Sequence, residues 1–117
     1  MADLRLDHVS VVVADLAPAI AFFTELGMEL EGRTQVSGDW ADRINRIDGV
    51  AVEIAMMRTP DGSGKLELTR FHAPALAAHD PATVPPNALG LRSVMFEVED
   101  IDATISRLRP HGGELVG

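Results

Sequence analysis

Two stretches, LDHVSVVVADL (Leu6–Leu16) and LRSVMFEVEDI (Leu91–Ile101), follow one pattern 85 positions apart. Each is a run rich in β-branched and apolar residues that closes on an aspartate, Asp15 or Asp100, followed by an apolar residue. Such a run suits a strand, and the aspartate suits the N-cap of a following helix, where a short side-chain oxygen accepts from free first-turn amides. The same shift of 85 continues beyond the aspartates. It aligns Ile20 with Ile105, Phe23 with Leu108, Gly27 with Gly112, Glu29 with Glu114, Leu30 with Leu115 and Gly32 with Gly117, without a gap. Cap, apolar stripe and terminating glycine all stay in register, so the second half of the chain is written as a repeat of the first.

The first copy is the longer. After the strand at Leu6–Val13, the spacing of Leu16, Ile20, Phe23 and Leu26 predicts a helix ended by Gly27, and Pro18 falls in its first turn, where its missing N–H costs little. Met28 to Val36 returns to strand. In DWADRINRI, Trp40, Ile44 and Ile47 recur at i, i+4 and i+7, which predicts a short amphipathic helix or turn. VAVEIAMMR (Val50–Arg58) and KLELTRF (Lys65–Phe71) flank TPDGSG, a hairpin signature. The first half therefore reads β-α-β-β-β over residues 1–72. Residues 73–90 hold four of the seven prolines and read as a linker, with His79 inside it and His72 beside it. Residues 91–117 are the start of the second copy, which lacks counterparts of Arg33 to Phe71. Either a sheet edge is left open there or the sequence is part of a longer chain, and the second is the expectation.

Composition narrows the partners. Among 117 residues there are 18 acidic and 10 basic side chains, a formal net charge of −8, which disfavours nucleic acid and anionic membrane surfaces. The absence of cysteine removes disulfides, thiolate ligands and thiol nucleophiles, so a metal would have to use histidine and carboxylates. Without an apolar leader or a run near the roughly 18 apolar residues of a membrane span, the expectation is a soluble cytoplasmic protein acting on a small molecule.

A β-α-β-β-β unit written twice, with histidine on the first strand and LELT on the fourth, resembles the vicinal oxygen chelate superfamily of glyoxalase I, bleomycin-resistance proteins, methylmalonyl-CoA epimerase and extradiol dioxygenases. The resemblance implies an α+β fold in which paired βαβββ modules form a curved mixed-sheet cup, here with the second module incomplete. It implies a homodimer, and a divalent metal (Zn, Ni, Fe or Mn) held by one residue from the first and one from the fourth strand of each module. Those positions carry His8 and Glu67 in the first module. Strand alternation agrees: Val9, Val11 and Val13 share one face and His8 and Ser10 the other, while Leu66 and Leu68 leave Glu67, Thr69 and Phe71 opposite. In the second module the first-strand position is Ser93, a poor metal ligand, and no residue occupies the fourth-strand position.

Each candidate carries two readings. His8 is a cup residue and metal ligand, or a strand histidine satisfied by a neighbouring carboxylate or carbonyl. Glu67 is a metal ligand and the catalytic carboxylate, or the partner of an arginine such as Arg58 or Arg92. Trp40, Phe71, Ser93 and Met95 are candidates to line the ligand. So is Met57, although Met56 and Met57 must point to opposite faces. Glu97 shares the face of Ser93 and Met95 and is a second cup carboxylate or a solvated one. His111 ends the second helix, where a cation complements the helix dipole. The implied function is either a metal-dependent lyase, isomerase or dioxygenase with a degenerate metal site, or a metal-free protein that sequesters a small organic ligand.

Overall fold

The computed structural model describes residues 4–77 and 80–116. Strand β1 (Val9–Val12) leads into helix α1 (Leu16–Leu26), followed by β2 (Glu29–Ser37), helix α2 (Asp39–Asn45), β3 (Ala51–Arg58) and β4 (Lys65–Ala73). The four strands make one mixed sheet in the order β1-β4-β3-β2, with β1 parallel to β4 and the other pairs antiparallel. Beyond it come a 3-10 turn at Pro81–Thr83, helix α3 (Ile101–Leu108) and a 3-10 turn at Arg109–His111.

Strand alternation sorts the sheet into two faces. On one, Leu66, Leu68, Ala55 and Met57 are buried with Leu16 and Met28, and Val9, Val11, Ile20 and Phe23 pack against them. This is the core between sheet and α1, and it explains the helix: the apolar stripe of α1 has a sheet to cover. Gly27 ends α1 at φ 125°, a backbone geometry that L side chains rarely adopt, and its N–H donates to the carbonyls of Phe23 and Thr24. The other face is covered at one end only. There α2 inserts Ala41 against Val50 and Val52, flanked by Val36, Ile54 and Phe71. Asp42 sets the return from α2 into β3 by accepting from the amides of Gly49 and Val50 at 3.0 and 2.8 Å.

Three sequence expectations change here. The Trp40, Ile44, Ile47 stripe of α2 faces solvent, at 53, 70 and 40% exposure, because the small Ala41 is what fits against the sheet. Asp15 sits at the N-cap of α1 with extended backbone but makes no side-chain cap hydrogen bond, whereas Asp100 caps α3 by accepting from Ala103 N–H at 3.0 Å. Finally, residues 91–98 form no strand. In the first copy β1 is held by β4, and among the described residues no strand pairs with this segment.

The segment is instead anchored by Phe96, which packs against the α1 core and matches Val11 in the repeat. Helix α3 begins after its aspartate as α1 does, Gly112 repeats the positive φ of Gly27 at 93°, and Arg107 Nε donates to the carbonyl of Glu25 on α1 at 3.3 Å. The radius of gyration is 15.8 Å, above the about 13 Å of a compact chain of this size. Consistent with that, a cleft of about 1070 Å³ lies between Leu6, Val9 and Leu66 on one side and Val94, Met95 and Glu97 on the other.

Candidate functional site

The open part of the second face carries the polar residues of β1 and β4. Ser10 lies directly opposite Glu67, and Val12 opposite Thr69, in the parallel β1–β4 register. Ser10 Oγ donates to Glu67 Oε1 at 2.9 Å and Thr69 Oγ1 donates to the same oxygen at 3.3 Å. Two hydroxyls therefore fix one carboxylate oxygen and leave Oε2 to the remaining neighbour. That neighbour is His8, whose Nε2 lies 3.2 Å from Glu67 Oε2. Its other ring nitrogen, Nδ1, donates to Asp7 Oδ2 at 2.7 Å. The hydrogen bond from His8 is the main cause holding the Asp7 carboxyl below its ordinary value.

The arrangement has a chemical consequence. With Nδ1 donating to Asp7, a neutral ring presents the Nε2 lone pair to a carboxylate oxygen. A proton on Nε2, or a cation between the two atoms, turns that repulsion into attraction. An imidazole oriented by a carboxylate on its far nitrogen is also the usual setting of a metal-ligating histidine. His8 Nε2 and Glu67 Oε2 are thus suitable donors for a divalent cation. Among the described residues no group of three or more His, Cys, Asp or Glu side chains converges. Neither Arg58 nor Arg92 pairs with Glu67: Arg58 reaches Glu29 and Arg92 reaches the Leu89 carbonyl.

The remaining candidates are dispersed. Met57 is fully buried in the α1 core; Met56, opposite Glu67 in the β3–β4 register, is the one on the face of His8 and Glu67. The registers Met56↔Glu67 and Met57↔Leu66 decide this, and neither is legible from adjacent methionines alone. Phe71 is on the same face as Glu67 but packs beneath α2 with Val52 and Ala41. Trp40 lies on the solvent side of α2. Ser93 and Met95 belong to the unpaired segment 91–98, Met95 at 94% exposure, Glu97 lines the large cleft, and the hydrogen-bond and ion-pair partners of His8 and Glu67 are other residues. His111 is exposed in the turn after α3, and His79 lies outside the described residues. The residues that sequence reasoning missed are Asp7, Ser10 and Thr69 as partners of the pair; the alternation that selected His8 and Glu67 already placed Ser10 and Thr69 on their face.

A β1-β4-β3-β2 sheet backed by one helix, with histidine and glutamate facing each other from its parallel pair, defines a βαβββ module of the vicinal oxygen chelate type. The family model for the Glyoxalase/Bleomycin resistance protein/Dioxygenase superfamily matches residues 5–117, and the chain belongs to that superfamily. The crystal structure of a glyoxalase family protein from Bacillus cereus is similar with a TM-score of 0.91 at 54% identity, over 100% of this chain and 80% of that one. A curated relative, a 2-epi-5-epi-valiolone epimerase from an Actinomyces species, is 34% identical over 111 residues. That match takes in 91% of this chain, which spans 58% of the relative's length.

Proposed function

We propose that this chain binds a small carbonyl compound on the open face of its sheet and shifts a proton on the carbon beside the carbonyl, an isomerase or epimerase reaction. The observation that carries the reading is the His8 Nε2 to Glu67 Oε2 approach of 3.2 Å. Removing a proton next to a carbonyl generates an enolate and calls for a base held against the carbon, with charge stabilisation at the oxygen. Glu67 supplies the base through Oε2, because Oε1 is occupied by Ser10 and Thr69. His8, fixed by Asp7, shares the proton and returns it. Alternatively, a divalent cation (Zn, Ni, Fe or Mn) held by His8 Nε2 and Glu67 Oε2, in place of the proton shared between them, would supply Lewis-acid polarisation of the carbonyl oxygen. The epimerase relative supports an isomerase over a lyase or dioxygenase.

The second reading is a metal-free binder that sequesters its ligand. It is favoured by Ser93 standing where the repeat would place a second histidine, and by the two-donor set of the described residues.

In either case we place the protein in the cytoplasm as a homodimer, with residues 91–117 as the start of a second module. The dimer is supported by the apolar surface of that segment, with Leu91, Met95 and Val116 at 77, 94 and 97% exposure. No helix among the described residues is long and apolar enough to cross a membrane.

The test has two readouts on untagged protein: metal content by inductively coupled plasma mass spectrometry, and solvent deuterium incorporation into a panel of hydroxylated cyclic ketones by NMR. Near-stoichiometric metal lost in His8→Ala, with deuterium incorporation lost in Glu67→Gln, is the expected result. Ligand-induced thermal shifts with neither metal nor exchange would turn the assignment to the sequestering protein.

A further inference from the structure

Arg58 and Lys65 are direct cross-strand partners where β3 meets β4, and alternation puts both on the face of Met56 and Glu67. Like charges directly opposite on one face repel. The fold holds them there with two glutamates from the start of β2. Glu29 Oε1 lies 3.2 Å from Arg58 Nη2, and both oxygens of Glu31 lie 3.3 Å from Lys65 Nζ. Glu31 is the unpaired residue of a β-bulge between Leu30 and Gly32, a distortion that re-aims a side chain. The Glu31–Lys65 pair spans the width of β3, from β2 to β4. Lys65 therefore holds a carboxylate by both oxygens above the ligand face, in an exposed pair that exchanges readily with an equivalent group.

We propose that Lys65, with Arg58 beside it, is a subsite for a carboxylate of the ligand, and that Glu31 is its internal occupant, displaced when ligand binds. Glu31 stands between Leu30 and Gly32, which are in register with Leu66 and Glu67 two strands away, so a carboxylate held in its place lies on the order of 10 Å across the sheet from Glu67. The ligand class is an oxo acid whose carbonyl is separated from its acid group by several bonds. Its remainder runs along the adjoining groove of about 250 Å³ lined by Glu31, Gly32, Arg33, Thr34, Ile54 and Met56. The subsite rests on the proposed use of this face for ligand, and requires neither the metal nor the proton transfer.

Butyrate serves as the probe, titrated into protein freed of metal on chelating resin and followed by NMR chemical shifts. Removing the internal competitor in Glu31→Gln tightens butyrate by about two- to fivefold, the strength of an exposed ion pair. Adding Lys65→Gln to that variant loses saturable binding, and Arg58→Gln in the same background weakens it. His8→Ala, which removes the proposed chemistry, leaves butyrate affinity as in the parent, so failure of the reaction and failure of the subsite are told apart. Equal affinity in wild type and Glu31→Gln, or binding that survives Lys65→Gln, overturns the proposal.

Discussion

His8 Nε2, just before β1, and Glu67 Oε2 on β4 meet at 3.2 Å across two parallel strands that α1, β2, α2 and β3 separate in sequence. Each side chain is already oriented before any ligand arrives, His8 by Asp7 and Glu67 by Ser10 and Thr69. Glu67→Gln keeps the shape and the hydroxyl contacts but removes the proposed base. Deuterium exchange into a turned-over ketone is expected to fall by about 10²-fold or more, while unfolding free energy changes by less than about 1.5 kcal/mol. A variant that exchanges at the wild-type rate would take Glu67 out of the reaction.

Met56 and Met57 are neighbours in sequence with opposite surroundings. Met57 is fully buried among Leu16, Leu66 and Leu68, so Met57→Ala is expected to cost about 2–5 kcal/mol in urea unfolding. Met56 is partly exposed on the ligand face, and Met56→Ala is expected to cost under about 1.5 kcal/mol. Equal losses at the two positions would mean that the sheet register is wrong.

The β3–β4 turn is organised by Asp61, whose carboxylate accepts from Ser63 N–H and from the hydroxyls of Thr59 and Ser63. The Ser63 amide, foremost among these donors, helps hold its pKa at about 2, below the ordinary 3.8. A depressed carboxylate stabilises the fold above its unfolded pKa, and that contribution disappears as pH falls through the folded value. The stability gap between wild type and Asp61→Asn is therefore expected to stay constant above about pH 5 and to close as pH approaches 2. Urea titrations across that range read it directly, and a gap that widens on acidification contradicts the assignment.

Asp15 and Asp100 occupy matching positions of the repeat, yet only Asp100 accepts a cap hydrogen bond. Asp100→Ala is expected to speed hydrogen exchange at the Ala103 and Thr104 amides about fivefold, equivalent to ~1 kcal/mol of cap. Asp15→Ala is expected to leave the amides of α1 within about twofold of wild type, as a site without a cap bond allows.

Local periodicity determined much of this molecule. The shift of 85 made the chain a repeat, the 3.6-residue stripe of Leu16, Ile20 and Phe23 defined α1, and two-residue alternation put His8 and Glu67 on one face. These features depend on neighbours along the chain, so the sequence carries them in full. Only the tertiary structure decided which methionine shares the face of Glu67, because that depends on β4 lying beside β3 in one register. It also decided that Ala41, rather than Trp40 and Ile44, packs against the sheet, since coverage depends on the room left by Val50 and Val52. Residues 91–98 carry a strand's pattern and form none, because a strand is completed by hydrogen bonds to a partner that the periodicity of its own residues does not contain. The reach of Glu31 over β3 to Lys65 has the same origin, in a bulge that becomes defined only when two strands are set side by side.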